Sequence, residues 1–210
     1  MEAYHIISGL KIKGNEIISE KTGEPIFEYQ GSADGSCGPY SIFMALKIVG
    51  VLYRKDLQPY HKIDSRTCVG KFMNKIHALP NLVKDGTDLG NIFDLVSENF
   101  SSKLTTDWSQ LKNKELIDLV ISQLNEDKPT ITGIYYPGGG HWMLAVGYSC
   151  DEKEKPIKLL LLDPSGVKPT IAPWNTVIEI GTKRKGDYSY HWHTDGYNVS
   201  FDEALAIWHK

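Results

Sequence analysis

Long apolar runs are missing from this sequence. The most apolar short stretches, residues 42–46 and 159–162, are the size of core segments, far below the roughly 20 residues that a membrane-spanning helix needs. No membrane partner is therefore expected. An excess of positive charge is missing too. Lys and Arg number 23 against 26 Asp and Glu, a net charge of -3, so there is no electrostatic basis for nucleic-acid binding. The short run Lys183-Arg184-Lys185 reads as a solvated turn. Cysteine is sparse: Cys37, Cys68 and Cys150 lie far apart with no C-x-x-C pair. That argues against a disulfide framework and against a cysteine zinc site, and it fits a reducing compartment in which a thiol stays available. Internal repeats and low-complexity segments are absent. The first ten residues include Glu2 and His5 and show no basic region followed by an apolar stretch, so no secretory signal is visible. The expectation is a cytoplasmic protein, or one exported without a cleavable signal.

What is present reads as one domain. Short extended pieces are expected over 5–12, 16–19 and 25–29, separated by the turn signals Gly14-Asn15 and Thr22-Gly23. A glycine-rich loop over 31–35 leads into an apolar helix that starts near Gly38-Pro39 and ends at Gly50, with proline in the first turn and glycine past the end. Apolar spacing predicts helices over 67–77, 88–99 and 108–126, the last with a stripe that includes Leu111, Leu116 and Leu124. Strands are predicted over 129–136, 141–148 and 157–162, with a loop at 137–140 and a turn over 149–156. Further strands fall at 177–180 and 188–193, and a short helix at 202–208. This order suggests an α+β fold with helices packed to one side of an antiparallel sheet. Within the domain, 1–28 is an N-terminal extended segment, 29–166 the core, and 167–210 a C-terminal strand and helix extension.

Three positions carry the chemistry. Cys37 sits between the glycine-rich loop and the first turn of the apolar helix. A helix N-terminus offers free backbone N–H groups and a positive dipole end, which stabilise a thiolate and a developing oxyanion. Gly35 and Gly38 flank it and would admit a substrate backbone. His141 follows three glycines and opens an apolar strand, a rigid seat for a base that remains reachable across the loop. Asp163 ends the strand that follows. With 22 positions between them and a turn at 149–156, His141 and Asp163 fall at the same edge of two antiparallel neighbours, close enough for the carboxylate to orient the imidazole. Each residue also has a plain reading: a buried thiol, a strand-end histidine, a turn-forming aspartate before proline. The three together, in that chain order, are far more specific than any one.

That combination resembles the papain-like cysteine peptidases, in particular the bacterial branch that processes double-glycine leader peptides. Cys37-Gly38-Pro39 with the small and apolar residues after it is similar to the nucleophile motif of that branch. His141-Trp142 leading into Val146-Gly147-Tyr148 is similar to its histidine motif, and Asp163-Pro164 to its acidic ending. The resemblance covers about 37–166. It implies a papain-like fold, with the N-terminal catalytic helix in a helical section packed on an antiparallel sheet. It also implies a peptide or protein substrate, no cofactor and no metal. The family places a glutamine for the oxyanion six positions before the cysteine, whereas Gln30 lies seven before Cys37. Gln30 takes that role across a longer loop, or Ser32, Asp34 or backbone N–H groups do.

The expected reaction is cleavage of a peptide or isopeptide bond through a thioester on Cys37, with His141 as acid and base. Gly35, Gly140 and Trp142 are candidates for contact with substrate. The same groups perform deamidation or acyl transfer. Asp34-Gly35-Ser36-Cys37 also resembles the Asp-Gly-x-Cys motif of ovarian-tumour-type deubiquitinases, and a catalytically inactive binding module is a third reading. His191, His193 and Asp195 read as a polar strand face in preference to a metal site. Trp142, Trp174 and Trp192 read as core packing, with a cleft wall as the alternative.

Overall fold

The computed structural model describes residues 2–31, 35–58, 63–79 and 86–210. The chain opens with β1 (Ala3–Ile6) and the hairpin β2 (Leu10–Lys13) and β3 (Glu16–Ser19). Helix α1 (Cys37–Ile48) follows, then α2 (Cys68–His77), α3 (Leu89–Phe100), β4 (Leu104–Gln110) and α4 (Lys114–Asn125). Six strands complete it: β5 (Thr130–Tyr136), β6 (Gly139–Cys150), β7 (Pro156–Leu162), β8 (Thr176–Glu179), β9 (Tyr190–Trp192) and β10 (Asn198–His209).

The papain-like layout expected from the sequence, helices packed to one side of an open sheet, is overturned. Strands β5 to β10 form a closed six-stranded antiparallel barrel in the order β6, β5, β10, β9, β8, β7, with β7 pairing back onto β6. The decisive element is β10. By propensity Glu203-Ala204-Leu205-Ala206 favours a helix, and the sequence predicts one over 202–208. Here Glu203 to Ala206 pair with β5 along one edge and with β4 along the other, while β9 pairs with the start of β10 at Asn198 and Val199. Ladder bonds on both edges outweigh a local preference of a few tenths of a kcal/mol per residue. The helix expected over 108–126 is likewise shortened, because 108–110 are the end of β4. The helix begins only at Lys114, which leaves Leu111 outside it and exposed.

The two ends of the chain are not appendages. Strand β1 pairs with β6, and 167–210 supplies three staves of the barrel, β8 to β10. Helix α1 is buried along almost its whole length, as expected of a helix that is apolar all round. It stops where Val49 caps it and Gly50 turns with φ +76°, the left-handed geometry that glycine tolerates best. Among the described residues no helix is long and apolar enough to cross a membrane.

Candidate active site

The tip of α1 points at the start of β6. Cys37 is the first residue of the helix and is buried. The first-turn N–H groups of Cys37 and Gly38 have no acceptor within the helix. Contacts with β6 hold the tip in place. Ser41 Oγ donates to the Trp142 carbonyl at 3.1 Å, and the Trp142 indole N–H donates to the Thr87 carbonyl at 2.9 Å. The Trp142 ring lies flat over Gly133, where a Cβ would come within 2.2 Å of it. Gly38, expected as clearance for substrate, serves packing as well: a Cβ there would lie 2.7 Å from Ile92 and 3.4 Å from Trp142.

His141 is the third residue of β6, not the first. The residues expected as an open glycine loop make a tight hairpin, with Pro137 and Gly138 at its corner and Gly138 at φ +93°, the pattern of a type II turn. His141 thus stands inside the ladder, opposite Ile134 of β5. Its Nε2 donates to Asp163 Oδ1 at 2.7 Å, and the Cys37 side chain lies close enough to the ring to favour its protonated form. The structure therefore joins Cys37, His141 and Asp163 in one chain of contacts.

A bulge makes this possible. Ladder partners run Tyr148 to Leu159 and Gly147 to Leu160, then skip Val146 and resume at Ala145 to Leu161 and Leu144 to Leu162. Continued by one residue, the register sets Asp163 opposite Met143, on the face that His141 shares and one diagonal step away. Without the extra residue Asp163 would fall opposite Leu144, on the other face of the sheet.

Electrostatics at the site follow from burial and partners. Burial pushes the imidazolium of His141 towards losing its proton. Hydrogen bonds and charge from Asp163 and Cys37 outweigh it and raise the pKa from 6.5 to about 9. Burial works against the Asp163 carboxylate as well, but its bonds to His141 and Ser165 hold its pKa below the ordinary value.

Several groups were not legible as site residues. The Ser165 hydroxyl donates to Asp163 Oδ1 at 2.7 Å and lies 3.3 Å from His141 Nε2, while the Ser165 N–H reaches the same oxygen at 2.8 Å. Asn175 clamps the Asp163 backbone, accepting from its N–H at 2.7 Å and donating to its carbonyl at 2.8 Å. Trp192 stacks on the His141 ring, centroids 5.6 Å apart, and its indole N–H donates to Thr176 Oγ1 at 2.6 Å. The Asp-Pro-Ser-Gly turn was the available signal for Ser165. The sequence offers Trp192 only as an alternative cleft wall, and nothing in it links Asn175 to this place.

Gln30 is buried, and its backbone N–H donates to the Pro164 carbonyl at 2.9 Å, so it is anchored beside the Asp163 turn. Ser32 and Asp34, the other oxyanion candidates, lie outside the described residues. The Gly35 carbonyl accepts from the Cys37 thiol at 4.0 Å. Gly140 and Trp142 line a cleft of about 320 Å³ beside Cys37 and His141, together with Thr87, Asp88, Tyr135 and Glu203. His191 and His193 do not share a face with Asp195. Strand β9 ends at Trp192, and His193 turns to Glu179, 3.8 Å away. Asp195 instead comes within electrostatic reach of Asp163 and His141, and burial followed by Asp163 raises its pKa. Trp174 stacks on Tyr4.

No protein family matches this chain, and no curated protein matches it either.

Proposed function

We propose that the protein is a cysteine-nucleophile hydrolase that cleaves an amide bond of a peptide or protein. The observation that carries this reading is the buried His141–Asp163 hydrogen bond beside Cys37, with the sulfur close enough to influence the ring and set at a helix N-terminus on the edge of a cleft. The likeness of the Cys-Gly-Pro and Asp-Pro segments to those of leader-peptide-processing peptidases supports a peptide substrate.

In the proposed reaction the Cys37 thiolate attacks the amide carbonyl carbon, and the carbonyl electrons move onto oxygen. The Cys37 N–H and the anchored Gln30 amide are the donors for that oxyanion. As the oxyanion collapses the C–N bond breaks, and the His141 imidazolium gives its proton to the leaving amine. A thioester remains on Cys37. Neutral His141 then takes a proton from water as the water oxygen attacks the thioester. The acid leaves, and sulfur regains its electron pair. Asp163, held by Ser165 and Asn175, keeps the ring in the required tautomer throughout.

Iodoacetamide labelling at neutral pH tests the pair directly. Cys37 should label much faster than Cys68 or Cys150, and His141→Ala should remove that advantage. Replacing Cys37 by Ala should abolish peptide hydrolysis while the protein stays folded. Turnover by that variant at the wild-type rate would remove the proposal.

A further inference from the structure

The described residues of the cleft next to Cys37 include acids and no lysine or arginine. Asp88 comes from the N-terminus of α3 and Glu203 from β10, so two distant segments deliver carboxylates to one wall. Glu203 is almost fully buried, at 8% exposure, yet among the described residues no lysine or arginine pairs with it. Its hydrogen-bond donors are neutral: the Trp108 indole N–H at 3.0 Å and the Gln110 side chain. A carboxylate buried without a counter-charge is costly. Burial raises the pKa of Glu203, and Asp88 and Asp202 raise it further. Asp88 serves its helix by accepting from Asn91 N–H at 3.3 Å and is likewise without a cationic partner among the described residues.

A second, independent sign stands in the same wall. Thr87 lines the cleft and is nine-tenths buried, and its hydroxyl has no hydrogen-bond partner. Such groups are rare in folded proteins and are usually completed by something that binds. The volume, about 320 Å³, is at the small end of ligand sites and suits one side chain better than a whole small molecule.

We propose that this cleft is a subsite for a lysine or arginine side chain of the substrate, with Glu203 and Asp88 as the charge partners and Thr87 Oγ1 as a polar contact. It rests on the hydrolase reading for what the substrate is, but its test does not depend on hydrolysis. Gly86 and Gly140 keep the wall backbone close to the incoming chain, while Gly133 is covered by the Trp142 ring.

The test compares short peptidyl chloromethyl ketones that alkylate cysteine. They differ only in carrying lysine or uncharged norleucine at each of the three residues nearest the reactive group. At one of these positions the lysine reagent should alkylate Cys37 at least about tenfold faster, the lower end of what hydrogen bonds to a charged group contribute. Glu203→Gln and Asp88→Asn, each of which keeps an acceptor for Trp108 or Asn91, should each reduce that ratio. The double variant should bring it below about threefold, the remainder that two neutral acceptors leave. Equal rates for lysine and norleucine at all three positions overturn the proposal. So does a ratio that survives both substitutions, and so does failure of every reagent to reach Cys37. If the lysine preference holds and no peptide is hydrolysed, the hydrolase reading falls and the subsite stands. If peptides are hydrolysed without charge preference, the subsite alone falls.

Discussion

Two buried ion pairs sit at the two ends of the same helix. At the N-terminal tip, His141 and Asp163 meet Cys37. Near the C-terminal end, Lys47 is wholly buried and pairs with Glu28. Both pairs join residues from different elements, and in both burial is the largest influence on the cation. The outcomes are opposite. His141 is raised to about 9, because the Asp163 and Cys37 hydrogen bonds outweigh the loss of water. Lys47 is lowered, because burial outweighs Glu28. One pair keeps a cation charged beside an open cleft, where it can act on a substrate. The other holds a charge in the core at a net cost, and its role is to fix how α1 sits against the segment around Glu28.

The largest expected effect separates the pairs by function. Asp163→Ala should lower kcat/KM on a peptide substrate by about 10³-fold or more, as loss of a residue that orients a catalytic histidine does. Lys47→Met should leave kcat/KM within about threefold, since Lys47 sits in the last turn of α1, far from Cys37 in its first. A comparable loss in both variants would break the contrast.

Next come the stabilities. Glu28→Gln strands a buried ammonium and should cost about 3 kcal/mol in urea unfolding. Lys47→Met removes an ammonium that burial already penalises and leaves a Glu28 side chain that is 21% exposed, so it should fall within about 1 kcal/mol of wild type. If Glu28→Gln is as stable as wild type, Lys47 is not held by that carboxylate.

A pH series sharpens the point. The folded pKa of His141 lies above its ordinary value of 6.5, at about 9. Its contribution to stability is therefore complete below about 6.5 and is lost as pH rises through about 9. Turnover should fall over the same alkaline range, because the leaving amine needs the imidazolium. Lys47 has the opposite sign: its folded pKa is lowered from 10.5, so its cost diminishes as pH rises through the lowered value. Melting curves of wild type and Lys47→Met between pH 6 and 10 should converge towards the alkaline end.

The smallest effect concerns the hydroxyl behind the histidine. Ser165→Ala removes one bond to Asp163 and should reduce kcat/KM by about tenfold, the worth of a hydrogen bond to a charged group. As a positioning residue, Ser165 should also shift the alkaline limb of the pH profile, since its bonds hold the Asp163 pKa down and Asp163 in turn raises that of His141. An unchanged limb would assign it a structural part only.

Much of the local structure could be read from residue patterns. The starts of α1, α2 and α3 agree to within a residue or two, because their capping and apolar spacing are properties of neighbouring residues: Thr67 and Asp88 accept from the N–H groups of Gly70 and Asn91. The triad candidates stand out for the same reason, each lying where the sequence predicts an element to begin or end, although His141 is the third residue of β6. Other features were hidden. The residues at 108–110 and 202–208 tolerate helix, yet they belong to β4 and β10, and only partners on both edges of β10 decide this. Glu203 was therefore assigned to the wrong kind of element, and its place in the cleft could not be seen.

The sequence by itself determined the helix tip that bears Cys37, the hairpin order that brings His141 and Asp163 to one edge, and the lack of any apolar stretch able to span a bilayer. These depend on periodicity, turn residues and charge, all of which act over a few residues. Tertiary structure alone decided that the sheet closes into a barrel, that the skipped residue at Val146 turns Asp163 onto the face of His141, and that Asp88 and Glu203 share a wall. Each of these is a matter of register between strands or helices far apart in the chain, and a shift of one position reverses which side chains meet.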